Sequence, residues 1–292
     1  MNRRNFLGLG LGVLALSITP STLSAIDFRK TNKKIKLGVT DLSFHRIAGS
    51  LVANVLKDLG YEVERIYSPH VENFRKLKVG EVDLLTSAWL PSSHGIYKED
   101  TEKTTPLIEL GLHYKPYALW GVPDYVPQKD VAEISDLLKP EVIEKMKKDI
   151  QGITPGAGIT RFSIKMMEEY GLSNAGYRFH TGTEEDCFSA YETAVKNNQW
   201  VVVPLWKPQF LHYKYKIREL SDPKGLLGIV DKAVLLLRED KKNLFSQEEL
   251  KVLDNLKFSN EVIAELDYKV SRENKAIDEV TKQWLKEHSK SL

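Results

Sequence analysis

From residue 33 onward the chain switches repeatedly between two hydrophobic periods. Ile35 to Thr40 reads as a strand, and residues 46–59 place Ile47, Leu51, Val52, Val55, Leu56 and Leu59 at helical spacing. Tyr61–Tyr67 predicts a second strand, a short helix follows around Phe74 and Leu77, and Val82–Trp89 predicts a third strand. Strand–helix–strand–helix–strand implies parallel strands with helical crossovers. The alternation then restarts. Asp149–Pro155 and Tyr177–Thr181 read as strands around a helix carrying Phe162, Met166, Met167 and Tyr170 on one face and ending at Gly171. Thr183 with Asp186 predicts a capped helix through Val195, Trp200–Trp206 another strand, and Lys232–Arg238 a buried strand. Ser246 with Glu249 opens a helical tail. Two α/β blocks of this kind predict two lobes, parallel-rich sheets flanked by helices, and a cleft between them.

In open α/β sheets, ligands sit outside the carboxyl ends of the strands. Trp89 and Trp206 each stand at such an end, one per block. A large indole where a strand opens is a wall rather than a turn residue. Two of them predict opposing faces across the cleft.

The length of 292 residues suits two lobes, and 42% apolar residues supply a core. The formal charge is +2, from 42 basic and 40 acidic residues. That balance argues against nucleic acid as a partner, which needs a basic patch. Residues 1–25 have a basic start (Arg3, Arg4), an apolar stretch from Phe6 to Ile18 and a small-residue end at Ala25. This predicts an export segment, of general secretory or twin-arginine type, and its Gly-rich run is no nucleotide loop. Its removal leaves a formally neutral chain whose single cysteine, Cys187, allows no intrachain disulfide. No cysteine follows it to carry a lipid, so the expected location is a periplasm.

An aromatic wall suits a particular guest. A quaternary ammonium has no N–H for a carboxylate to accept, but the negative face of an indole attracts it. The guest's other end would need donors. Thr154–Phe162 follows a strand and opens a helix, and its glycines Gly156 and Gly158 permit close approach. The N–H groups near Ile159 and Thr160 would face an anion, with Arg161 adding charge.

Three segments, Gly80–Tyr97, Gly152–Ser163 and Trp200–Gly225, resemble the extracytoplasmic binding proteins of glycine betaine import systems. The resemblance runs through the chain after residue 25. It implies the two-lobe periplasmic binding protein fold of type II, hinged, closing over a betaine held by aromatic rings. It also implies an ABC permease and its ATPase as partners, a monomer, and no cofactor. The implied lobe divisions are 33–120, 121–214 and 215–292, the last returning to the first lobe. Trp89 and Trp206 match the family's cage tryptophans, and His94 the histidine after Trp-Leu-Pro. Phe44 and His45 lie in the first strand-to-helix turn, where the family places carboxylate donors. The second motif departs from the family: Pro208-Gln209-Phe210 replaces a Pro-His-Trp run, with Phe210 as the candidate aromatic. The third wall falls to Phe162, Phe44 or Tyr117. Choline, carnitine or another methylated cation is the alternative guest.

Trp120, Trp200 and Trp284 have apolar neighbours or a helical stripe and are assigned to the core. The seven histidines form no short-spaced set, so no metal site is expected. No nucleophile elbow, zinc-protease helix or P-loop is present, so an enzyme is not expected. A sensor subunit would use the same closing lobes as a transporter's binding protein.

Overall fold

The computed structural model describes residues 33–288, so the expected export segment lies outside the described residues. The first strands and helices are β1 (Lys34–Thr40), α1 (Ser43–Asp58), β2 (Glu62–Ser68), α2 (His70–Val79), β3 (Leu84–Leu90), α3 (Gly95–Glu102) and β4 (Leu107–Leu110). They continue as β5 (Tyr117–Pro123), α4 (Pro140–Lys145), β6 (Asp149–Gln151), α5 (Gly158–Glu169), β7 (Arg178–His180), α6 (Glu184–Lys196), β8 (Val203–Lys207), α7 (Leu211–Lys214) and β9 (Ile217–Glu219). The last are β10 (Lys232–Arg238), α8 (Gln247–Asp254), α9 (Asn260–Ser271) and α10 (Ile277–His288).

One lobe carries the sheet β2-β1-β3-β10-β4, and the other carries β8-β5-β9 and the pair β6-β7. The α/β class holds, but parallel pairing is confined to β2-β1-β3 and β6-β7. The strand β10 returns from the second lobe and pairs antiparallel with both β3 and β4. The β8-β5-β9 sheet is wholly antiparallel. Strand pairing moves the lobe divisions from those the sequence implied. Both β5 and β9 belong to the second sheet, so the chain crosses at residues 111–116 and returns at 220–231. The two connections touch, Asp231 N–H donating to Pro116 O at 2.8 Å.

The helical periods do what they predict. Helix α1 buries Ile47, Leu51, Val52 and Leu56 against the first sheet. It seats closely because Gly49 has no side chain: a Cβ there would lie 2.7 Å from Val39 Cγ2. The Thr183–Asp186 and Ser246–Glu249 capping boxes both form, at α6 and α8. Such caps are each worth about 1 kcal/mol. Trp120 is fully buried, its Nε1–H donating to Ser163 Oγ at 2.9 Å. Trp200 and Trp284 are only partly buried. Trp200 sits in an isolated bridge with Met146, and the strand it was expected to begin starts at Val203.

Candidate functional site

The site begins with an irregularity in β3. Trp89 pairs with Ala233, Ala88 with Val234 and Leu85 with Leu236, so Thr86 and Ser87 together oppose Leu235. The extra residue is a β-bulge. Ser87 takes the left-handed conformation there, with φ +59°. Its buried hydroxyl gathers three groups: His45 Nδ1 at 2.7 Å, the Tyr114 hydroxyl at 2.5 Å, and the Trp89 indole N–H, which donates at 3.1 Å. The Trp89 N–H also reaches Tyr114 Oη at 3.2 Å. Burial pushes the Tyr114 phenol up to about 12, so it stays a neutral hydroxyl. After Trp89 the chain turns through a cis Leu90–Pro91 bond. Asp231, at the end of the return connection, holds that turn by accepting from Ser93 Oγ at 2.6 Å and Ser93 N at 3.1 Å.

The second lobe supplies the facing wall. Trp206 ends β8 and is likewise followed by a cis X–Pro bond, Lys207–Pro208. Its indole N–H is buried without a partner. Between the two tryptophans sits Phe44, with ring centroids 5.1 Å from Trp89 and 5.4 Å from Trp206. Beside them the N-terminus of α5 brings Ala157, Gly158 and Ile159 to the cavity edge. Ala157 has no side chain able to cap that helix, so the first-turn N–H groups remain available. Gly158 fits there without strain, since a Cβ would lie 3.0 Å from Ser93 across the cleft and force Ser93 to give by a few tenths of an ångström. The cavity offers about 20 Å³ to the centre of a water-sized sphere, room for about one water.

Three histidines close the inner end. His45, His70 and His94 are buried, with a nitrogen from each inside a 4.8 Å circle. The expectation of no histidine grouping therefore fails in space, although spacing in sequence concealed it. All three are held neutral, their pKa values driven below the ordinary histidine range chiefly by burial, His70 to about 4. His70 also feels the positive charge of Arg161. The Trp89 backbone N–H donates to His94 Nδ1 at 2.9 Å. A neutral imidazole has one lone pair, so His94 Nε2 carries the proton. With that lone pair committed to the backbone, His94 presents a donor rather than a metal ligand. His45 Nε2 is buried and unpartnered.

Of the residues expected from sequence, Phe44, His45, Trp89, His94, Gly158, Ile159 and Trp206 line this cavity. Three others lie elsewhere. The Arg161 guanidinium donates across the cleft to Ser93 O at 2.6 Å and to the Tyr97 hydroxyl at 3.0 Å, linking α5 to the start of α3. Thr160 donates its hydroxyl to Ile153 O at 3.3 Å. Phe210 packs edge-on against Phe188 at 4.7 Å and lies under Arg272 at 4.2 Å. For the third wall, Phe44 is the one of the three alternatives that reaches the cavity; Tyr117 instead bonds Glu219 at 2.9 Å. Sequence reasoning missed Ser87, His70, Ser93, Tyr114 and Asp231. The only hint for His70 was its place at a strand-to-helix turn, like that of His45.

Two lobes, a cleft at strand ends and convergent aromatic rings define a solute-binding protein. Residues 33–287 match the substrate-binding domain of ABC-type glycine betaine transport systems, and the chain belongs to that family. It is a family of binding proteins, not enzymes. A lactococcal OpuAC in its closed form with glycine betaine is 25% identical, with TM-score 0.77 over 89% of this chain and 97% of that one. The ProX protein of Borrelia burgdorferi is 26% identical, with TM-score 0.76 over 87% and 93%. The glycine betaine/carnitine transport binding protein of Listeria monocytogenes is 27% identical over 154 residues. That alignment covers 51% of this chain and about half, 49%, of the relative. Among the described residues no helix is long and apolar enough to cross a membrane.

Proposed function

We propose that this protein captures glycine betaine, or a zwitterion of the same build, and delivers it to an ABC permease with its ATPase. The observation that carries the reading is the convergence of Phe44, Trp89 and Trp206 on a cavity edged by donors. Three aromatic faces attract a trimethylammonium group at about 0.5–2 kcal/mol each. The carboxylate meets the open end of α5, the proton on His94 Nε2 and the unpartnered Trp206 N–H. The three faces alone sum to about 1.5–6 kcal/mol, and the donors for the carboxylate add to that. Neutral histidines suit this task, because they donate to the carboxylate without repelling the ammonium.

The present cavity is too small for such a guest. Binding therefore requires the lobes to part and the three rings to separate, then to close on the solute in place of one another. Choline keeps the ammonium but leaves the α5 N-terminus unused, so betaines with a carboxylate are the preferred guests. The relative that binds carnitine as well as glycine betaine is consistent with a longer zwitterion. The expected export segment supports a periplasmic location for the working protein, and the family resemblance supports a monomer.

Calorimetry on the protein lacking residues 1–25, with glycine betaine, dimethylglycine and glycine, tests the reading. Affinity is expected to fall in that order, with glycine silent. Equal binding of glycine and glycine betaine would reject the cage.

A further inference from the structure

Away from the cage, a second polar cluster joins the lobes. Ser43 starts α1 in the first lobe, Glu184 starts α6 in the second, and Asp267 lies on α9. Ser43 N–H donates to Glu184 Oε2 at 2.9 Å. Ser43 Oγ lies 3.1 Å from Glu184 Oε1 and also 3.1 Å from Asp267 Oδ2. A serine hydroxyl has one hydrogen. It can serve one of these carboxyls fully or be shared weakly between both, so the pair lacks a donor, and a proton held on one carboxyl completes the set.

The remaining bonds say which carboxyl. Asp267 also accepts from Ser271 Oγ at 2.8 Å and from Phe210 N–H at 3.3 Å. With Ser43 that makes three donors, an arrangement suited to an ionised group. The Glu184 carboxyl has Ser43 as its one hydrogen-bond partner among the described residues, through the Ser43 N–H and hydroxyl. The chain of donors thus runs from Glu184 Oε1–H to Ser43 Oγ–H to Asp267.

We propose that closing the lobes takes up one proton at this Glu184–Ser43–Asp267 clasp, so that solute capture strengthens as pH falls through the neutral range. The proposal rests on the reading of the protein as a closing solute binder. Opening separates Ser43 from Glu184 and returns both carboxyls to water, where they ionise at ordinary values. Desolvation of the half-buried Glu184, with the Asp267 charge second, raises it to about 8 in the closed form, and full burial raises Asp267 to about 6. The surrounding charges do not cancel this. Arg46, on α1, is engaged by Asp41, and Arg272, after α9, by Glu185 and Glu192 on α6. Asp186 serves the α6 capping box, and the neighbouring Cys187 is a neutral buried thiol.

The sign follows from proton counting. The closed form binds more protons than the open form between the ordinary glutamate value, about 4.3, and about 8. Closure is then fully favoured below that window and is progressively lost as pH rises through it. One proton limits the effect to about tenfold in affinity per pH unit.

The test is calorimetry with glycine betaine from pH 5.5 to 8.5, in buffers of different ionisation enthalpy, on wild type and Glu184→Gln. Wild type should take up close to one proton near pH 7 and lose affinity at each higher step. Glu184→Gln keeps the hydrogen bonds without this titrating proton, so its affinity should lack the wild-type loss as pH rises above 7. A wild-type curve without proton uptake, or an unchanged slope in Glu184→Gln, overturns the proposal. Urea denaturation without solute reads the clasp independently of what the protein binds, since Ser43 already holds Glu184 and Asp267 together in the structure described. Between pH 6 and 8.5 the stability advantage of wild type over Glu184→Gln should shrink or invert. A constant difference overturns the clasp even if glycine betaine binds, and a changing one supports it even if glycine betaine does not. The neutral buried histidines contribute the opposite slope, so the difference between the two proteins is the quantity that counts.

Discussion

The segments Trp89-Leu90-Pro91 and Trp206-Lys207-Pro208 put the same motif at the mouth of each lobe, and the folds around them treat it differently. Each tryptophan ends or nearly ends a strand, precedes a cis X–Pro bond, and has a later histidine returning to its backbone. His94 Nδ1 accepts from Trp89 N, and His212 Nε2 lies 3.2 Å from Trp206 O. The difference lies at the indole nitrogen. Trp89 is tied to Ser87 and Tyr114, whereas Trp206 has no partner. One wall is fixed by its own lobe before anything binds. The other keeps a buried donor unsatisfied, at a cost of about 1–3 kcal/mol that a guest's acceptor can recover.

The largest effects should come from removing either wall. Trp89→Ala and Trp206→Ala are each expected to weaken glycine betaine binding about 30-fold or more, an amount near 2 kcal/mol. Titration calorimetry measures it, and a variant within threefold of wild type would take that ring out of the cage. Smaller and more discriminating is the exchange to phenylalanine without ligand. Trp89→Phe leaves Ser87 and Tyr114 short of a donor and should cost about 1–3 kcal/mol in urea denaturation. Trp206→Phe removes an orphan and should be neutral or stabilising. Equal losses would erase the distinction between a fixed wall and an unsatisfied one. Smallest is Tyr114→Phe, which frees the Trp89 indole to tilt. A loss of about threefold in affinity is expected, with the melting temperature little changed, because the ring remains buried.

That Trp89 and Trp206 would share a cavity was legible because a large aromatic at a strand end is a local anomaly. So were β1, α1, β2, α2 and β3, whose periods are long and regular. The strand β5 was not, although it is the centre of its sheet. Its seven residues follow Pro116 and end at Pro123, and its partners β8 and β9 are distant in sequence. The sequence-implied lobe divisions misplaced β5 and β9 for the same reason. The return of β10 between β3 and β4 is likewise a long-range pairing that no local pattern announces. In the site, His70 starts α2 while Tyr114 and Asp231 lie on the two crossings between lobes, and each reaches its partner, His45, Ser87 or Ser93, only through the fold. Arg161 was assigned to an anion because its charge stands at a helix start. Its long side chain instead spans the cleft to a carbonyl on the opposite lobe.

Gly158 has a consequence of a mechanical kind. It stands on one jaw, Ser93 on the other, and the gap between them is one hydrogen atom wide where any other residue would put a carbon. The position works as an end-stop that sets how far the jaws can shut. A methyl group there, as in Gly158→Ala, would wedge them by a few tenths of an ångström unless Ser93 gave way. A protein so wedged would still meet its solute but shut less tightly on it, separating capture from closure by a single carbon.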